Sequence, residues 1–401
     1  MTSTARRMRA WTGPTILSYG FRPFFLGAAV WAALAMGLWL AMLAGRITLP
    51  SAFEPFAWHA HEFLYGYLGA VIAGFLFTAV PNWTGRLPIV GWRLGALTLV
   101  WVAGRLAVTL GAGWPAGLVA AADLAFPLIF ALAIGREIVV GRNWRNLVVL
   151  AMLAVFALGN ALFHWEAAQG QSAAQGFGLR LGLGAGVMMI AVIGGRIVPS
   201  FTRNWLVKQA PGRLPVPPMR AFDKVTLGGL LLALLLWLVL PDHRLTGVAL
   251  AVVGVLHLLR LSRWAGQRTL AEPLVAVLHL GYALLPLGAL AMAVEILLPE
   301  AFGMAAAQHL WMAGAIGLMT LAVMTRATLG HTGQALTARR GTVLIYGALV
   351  ASVLFRLAAG LWSGLSTPLL TLASLSWILA FGGFAVGYGA LLLRLPPGKR
   401  L

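Results

Sequence analysis

The chain has 401 residues, 60% of them hydrophobic and 10% charged, with a mean hydropathy of +0.88 and no cysteine. A soluble globular protein carries about 25% charged residues and under half apolar ones, so a soluble enzyme and a disordered chain are both excluded. The 29 Lys and Arg against 10 Asp and Glu give a net charge of +19, but they are scattered in ones to threes between apolar runs; nucleic-acid binding needs them gathered on one face, and no nucleic-acid partner is expected. Without Cys there is no thiolate zinc site, iron–sulfur cluster or thiolate-ligated haem. Any metal must sit on the eight His, the few carboxylates or the thioethers.

A helix needs about 20 mainly apolar residues to cross a bilayer. Stretches of that kind run roughly over 23–44, 56–80, 92–111, 114–135, 145–168, 177–200, 222–240, 245–262, 271–298, 302–326, 340–360 and 367–394. They predict an all-α polytopic membrane protein with about 12 spans, a single integral membrane domain over 1–401. The lipid bilayer is its first partner. A basic segment, 1–22, precedes the first span, and no cleavable signal follows it. The longest loop is 203–221, too short for an extramembrane domain. Basic residues mark the cytoplasmic side. With both termini cytoplasmic, all of the 29 Lys and Arg except Arg46, Arg105, Arg180, Arg244 and Arg356 fall on inner segments.

This topology sorts the ionisable residues by depth. The second span opens at the outer face with Trp58-His59-Ala60-His61-Glu62. Residues two apart on a helix point about 200° apart, so His59 and His61 cannot both meet one ion on a regular helix. Glu62 is an i,i+3 neighbour of His59 and a candidate partner fixing its imidazole; its other reading is a helix N-terminal carboxylate. His164 closes the fifth span and His309 opens the tenth, both at the outer face. His257 lies in the inner part of the eighth span, His279 near mid-depth in the ninth, and His331 just past the tenth, on the inner side. His243, beside Asp242 and Arg244, reads as a solvated turn residue. Ionisable side chains within spans are costly and usually line a functional interior, although a single His also serves as a helix–helix hydrogen-bond partner. Imidazole is the commonest metal ligand and a frequent haem ligand. A His-only site suits haem iron or copper.

The second and tenth spans overlay at a constant offset: His61 on His309, Gly66 on Gly314, Gly69 on Gly317, and Thr84-Gly85 on Thr332-Gly333. The sixth span carries a looser version, Val187 to Val192 matching Leu318 to Val323. Read as a repeat, the motif recurs every four spans and implies pseudo-threefold four-helix units. Small residues at this spacing also serve close helix packing, which accounts for the glycines but not for the paired His.

Five runs carry a family resemblance: Gly20-Phe21-Arg22-Pro23-Phe24-Phe25, Trp58 to Glu62, Pro81-Asn82-Trp83-Thr84-Gly85-Arg86, Gly195-Arg196-Ile197-Val198-Pro199-Ser200-Phe201-Thr202, and Met324-Thr325-Arg326 through His331-Thr332-Gly333. Together they resemble the NnrS family. Gln334 departs from the Arg expected after His-Thr-Gly. The resemblance implies a multi-pass protein of the bacterial inner membrane that contains haem and copper and acts in nitric oxide metabolism or protection from nitrosative stress. A weaker likeness is architectural: subunit I of haem–copper oxidases and nitric oxide reductases also packs twelve spans in pseudo-threefold fashion, with His ligands on the second and tenth. The sixth span here has no His.

The resemblance implies haem b and copper as cofactors and nitric oxide as ligand or substrate, bound and reduced with electrons from an unspecified donor. A nitric oxide reductase-like oxidoreductase of denitrification is one form of this. The metal candidates are His59, His61, His164, His257, His279, His309 and His331, with His59, His61, His309 and His331 also as haem ligands. Proton delivery falls to Glu62 and Tyr65, with Glu166 and Tyr282 (an i,i+3 neighbour of His279) as further candidates. Arg86, Arg196 and Arg326 lie at inner ends, where haem propionates pair with guanidinium; positive-inside anchoring is their other reading. Two different functions also fit: a transporter or metal- and haem-handling protein without redox turnover, suggested by breaks at Pro127 and Pro286, or a nitric oxide sensor or sequestering protein.

Overall fold

A computed structural model describes residues 11–85, 88–209 and 211–394. Arg86 and the first ten residues of the basic N-terminal segment lie outside them. Twelve helices are long and apolar enough to cross a membrane: α1 (Phe21–Leu43), α2 (Pro55–Thr84), α3 (Trp92–Leu110), α4 (Ala116–Val140), α5 (Trp144–Ala168), α6 (Phe177–Leu206), α7 (Ala221–Val239), α8 (Arg244–Ser262), α9 (Pro273–Leu297), α10 (Met304–His331), α11 (Arg340–Leu361) and α12 (Ser363–Leu393). No strand occurs among the described residues. Each corresponds to one predicted span, and the fold is the all-α multi-pass one expected. Large apolar side chains such as Leu99, Leu132, Leu344 and Val386 are exposed along the helices. A water-soluble surface would not tolerate that much apolar area; lipid does.

Four helices run further than their patterns suggested. α2, α4, α6 and α10 continue past the inner ends read from hydropathy, to Thr84, Val140, Leu206 and His331. Pro81 and Pro199 sit inside α2 and α6, where a proline leaves carbonyls of the preceding turn without a donor. On either side of Pro81, the Asn82 amide donates to the Thr78 carbonyl and the Thr84 hydroxyl to that of Val80. α4 and α9 likewise run unbroken through Pro127 and Pro286, so the helix breaks that suggested a transporter are not there.

α2, α6 and α10 share a second property. Each contains a π-helical segment: Glu62–Leu68, Ile190–Gly194 and Leu310–Gly317. In α2 and α10 these begin at the positions following His61 and His309, which overlay in sequence. The wider turn marks functional sites more often than chance. α2 and α10 are also the most enclosed helices, with 83% and 78% of their apolar windows buried, so the most interior spans carry His61 and His309.

The helices group into two compact units. The first comprises residues up to Ala185, with 327–334 and 384 onward. In it the buried Arg22 donates from Nη1 to the carbonyls of Leu391 and Leu392 at 3.0 and 2.8 Å. The guanidinium therefore caps the end of α12, whose last carbonyls have no partner within the helix. The second unit holds residues 186–326 and 335–383. There Glu272 accepts from the Leu274 and Ala338 amides and the Thr337 hydroxyl, capping α9 and tying down the turn before α11.

Candidate metal centre

In the first unit, α2 to α5 bring six polar side chains into one buried cluster: His61, Glu62, Arg105, Asp123, Asn160 and His164, none more than 6% exposed. His61 Nδ1 lies 3.0 Å from Glu62 Oε1, and its Nε2 lies 2.9 Å from Asn160 Oδ1 and 3.2 Å from Asp123 Oδ2. His164 Nε2 is 3.0 Å from the same Asp123 Oδ2, to which Asn160 Nδ2 also donates at 2.8 Å. Arg105 bridges the two carboxylates, donating to Glu62 Oε1 at 2.7 Å and to Asp123 Oδ1.

Glycines make this closeness feasible. A Cβ at Gly66 would stand 2.4 Å from Arg105 Nη1, and one at Gly104 would stand 3.0 Å from Asp123 Oδ1. The Gly66 carbonyl, inside the π segment, accepts from the Trp101 indole at 3.0 Å. Tyr65 reaches across to α6, its hydroxyl donating to the Gly178 carbonyl at 2.7 Å through a gap left by Gly159 and Gly182.

His61, Asp123 and His164 each offer a ligand atom, and these atoms lie within 4.8 Å of one another. Two imidazoles and one carboxylate, from three helices, are a donor set for a first-row transition ion. A small cavity of about 10 Å³ adjoins the cluster, with Tyr65, Arg105, Asp123 and Asn160 on one side and Ile72, Phe126, Phe130, Leu153 and Phe156 on the other. That is room for one water-sized molecule.

The remaining candidates lie elsewhere. His59 faces α1, its ring stacked on Trp39 at 4.4 Å, so the two histidines of α2 diverge as their spacing requires. Glu62 partners His61 and Arg105, not His59. Glu166 accepts from the Phe177 and Gly178 amides at 2.6 and 3.1 Å; it caps α6 and is committed there. His331 is exposed at the end of α10, against the rings of Tyr19 and Phe21.

The second unit has its own buried network. Arg260 Nε donates to Asp223 Oδ1, and its Nη1 donates to the Ala191 carbonyl and the Tyr282 hydroxyl. Tyr282 is 2.8 Å from His257 Nδ1, so its partner is His257 and not His279, its neighbour on the same helix. His279 Nε2 is instead 2.7 Å from the Thr202 hydroxyl, and Gly266 packs against its Nδ1 side. His309 is half-buried, with Nδ1 2.6 Å from the Ala305 carbonyl. Arg196 is half-buried, and the Arg326 guanidinium lies 4.2 Å over the Phe201 ring.

Sequence reasoning missed Arg105, Asp123 and Asn160. Their signal was available, since an Arg and an Asp inside apolar spans are expensive unless paired. What the sequence lacked was the pairing itself, across 18 positions between Arg105 and Asp123.

Fold and site together define a multi-pass α-helical membrane protein with a histidine–carboxylate cluster buried among its helices. A family model described as NnrS protein matches residues 15–395, nearly the whole chain. The chain belongs to the NnrS family. Comparison with curated proteins gave no match. Membership fits a membrane protein related to nitric oxide and associated with metal or haem.

Proposed function

We propose that the protein binds nitric oxide at a metal centre within the bacterial inner membrane and reduces it, taking electrons from a separate donor. The observation that carries this reading is the cluster of His61, Asp123 and His164 beside a cavity with room for one water-sized molecule. An uncharged diatomic partitions into a bilayer and needs no polar entrance. A buried set of two carboxylates, two imidazoles and a guanidinium costs several kcal/mol per ion to desolvate, a cost out of proportion to holding helices together.

The histidines fit the two implied cofactors differently. The buried cluster would hold a bare ion such as copper. At His309 the contact with the Ala305 carbonyl places the proton on Nδ1, the arrangement that prepares Nε2 to ligate haem iron. When bound, such metals supply one-electron and Lewis-acid chemistry. Of the chain's own groups, Glu62 orients His61, and Tyr65 lines the cavity. His59, His257, His279 and His331 stand apart from the cluster.

The test is the optical spectrum of purified protein, reduced and then exposed to nitric oxide. A Soret band that shifts on addition, with turnover when an electron donor is supplied, is expected. No Soret absorption and no nitric oxide binding would overturn the reading. Binding without turnover would place the protein among sequestering proteins.

A further inference from the structure

The hydrogen-bond bookkeeping of the first unit's cluster comes out one positive charge short. Glu62 and Asp123 bring two negative charges and Arg105 one positive. Both ring nitrogens of His61 face oxygen acceptors: Glu62 Oε1 on one side, Asn160 Oδ1 and Asp123 Oδ2 on the other. A neutral imidazole has one N–H, so one of its lone pairs is aimed at oxygen lone pairs. Turning the Asn160 amide over does not help, because its carbonyl oxygen then faces Asp123 Oδ2, where Nδ2 now donates at 2.8 Å. In a membrane interior such a mismatch is not screened by water.

We infer that this negative charge is met by a single transition-metal ion bound by His61 Nε2, His164 Nε2 and Asp123 Oδ2, a non-haem site in which Asp123 is a ligand. This deepens the proposed function, on which it rests, by naming the donor set of its metal. Three observations favour an ion over a stray proton. The three donor atoms come from α2, α4 and α5 and converge within 4.8 Å, whereas one proton needs only two atoms. Asp123 Oδ2 is approached by three nitrogens at once, at 2.8, 3.0 and 3.2 Å. On the far side of His61, the Glu62 carboxylate sits where it accepts the Nδ1 proton and turns Nε2 toward the site, the outer-partner arrangement of metal-binding histidines. Arg105 then holds Glu62 and Asp123 in place together.

The same geometry rules out haem at this position. The His61 and His164 rings are 5.1 Å apart at 77°, with Asp123 Oδ2 close to both Nε2 atoms. A porphyrin held between two axial imidazoles would have to occupy the place of that carboxylate. Phe53 and Phe163 also pack against these rings, Phe53 against both and Phe163 against His61, closing off the flank.

The experiment uses full-length protein in detergent, stripped of metal with a chelator and titrated with Cu(II) alone; with no cysteine in the chain, thiolates do not compete. One tightly bound Cu(II) per chain is expected, with electron paramagnetic resonance couplings from two imidazole nitrogens. Asp123→Asn and His164→Gln are expected to weaken binding by more than the about 10–100-fold that loss of an outer partner costs, and His164→Gln to leave one nitrogen coupling. Glu62→Gln should fall within that range. Thermal unfolding and the Soret band, recorded alongside, show whether each variant is folded. Equal Cu(II) binding by wild type and a folded Asp123→Asn would overturn the assignment. So would a wild type that binds nitric oxide but takes up no Cu(II), Fe(II) or Zn(II), because the cluster would then be completed by a proton. A wild type that takes up the ion as described yet does not bind nitric oxide would sink the functional reading and leave the site standing.

Discussion

Gly66 lies directly beneath the Arg105 guanidinium, so close that a Cβ there would come within 2.4 Å of Nη1 and 2.9 Å of Glu62 Oε2. The π-helical turn of α2 thus offers bare backbone where Arg105 must pass to bridge Glu62 and Asp123. Gly66→Ala is expected to push the guanidinium away and leave two buried carboxylates without their cation. Breaking a buried ion pair costs about 3–5 kcal/mol, and thermal unfolding in detergent should show a loss of that size together with reduced bound metal. Gly37 is the control: a Cβ there meets nothing within 4 Å. Gly37→Ala should leave stability unchanged or raise it by up to about 1 kcal/mol, the helix-propensity gain.

Arg260 and Asp223 make the corresponding pair in the second unit, fully buried and 2.8 Å apart. Arg260→Met is expected to cost about 3–5 kcal/mol, because it removes one partner of a buried ion pair. Asp223→Asn in the same chain should recover most of that loss. A double-mutant cycle on unfolding free energy measures the coupling; additive losses would mean the pair does not act as one.

Arg22 is expected to matter for α12 and not for cofactor content. Its Nη1 donates to two carbonyls of the last turn, and hydrogen bonds from a charged group are worth about 1.5–3 kcal/mol each. Arg22→Ala should lower stability by about 3–6 kcal/mol and open the helix end to trypsin at Arg394. Arg22→Lys should not restore it fully, since a single ammonium lacks the planar fork of guanidinium. Limited proteolysis followed by mass spectrometry reads the cleavage directly.

The fold was legible where one physical term dominates. Hydropathy alone located every span, because about 20 apolar residues in a row admit few other readings. Helix ends were less legible: the second and sixth spans were read to 80 and 200, yet their helices run on to Thr84 and Leu206 with Pro81 and Pro199 inside them. Half of the site was legible too. His61 and His164 stood out by depth, but grouping by depth also suggested His59, whose ring stacks on Trp39 of α1, and His309, which belongs to the second compact unit. Asp123 and Arg105 could be found only as a pair, and pairing between helices is a property of packing that no local pattern encodes. Tyr282 shows the same limit: its spacing suggested His279, and the fold supplied His257 from α8.

Carboxylates at the start of each π-containing helix offer a last test. Glu54 accepts from the Phe56 and Ala57 amides at the start of α2. Glu166 does the same for Phe177 and Gly178 before α6, and Glu295 accepts from the amides of Glu300, Phe302 and Gly303 before α10. Each of these helices has amides at its entry that no helical carbonyl reaches. Removing such an acceptor costs about 0.5–2 kcal/mol. Glu295→Ala deprives three amides at once and should lie at the top of that range, whereas Glu54→Ala, at an exposed end where water replaces the carboxylate, should lie at the bottom. Gly176→Ala should reproduce the Glu166→Ala loss without touching the carboxylate, because its Cβ would stand 2.1 Å from Glu166 Oε2. Unfolding measurements on the four variants, with hydrogen exchange at the entry amides, check the order; a Glu54→Ala loss larger than that of Glu295→Ala would show that neither exposure nor the number of amides served sets the cost.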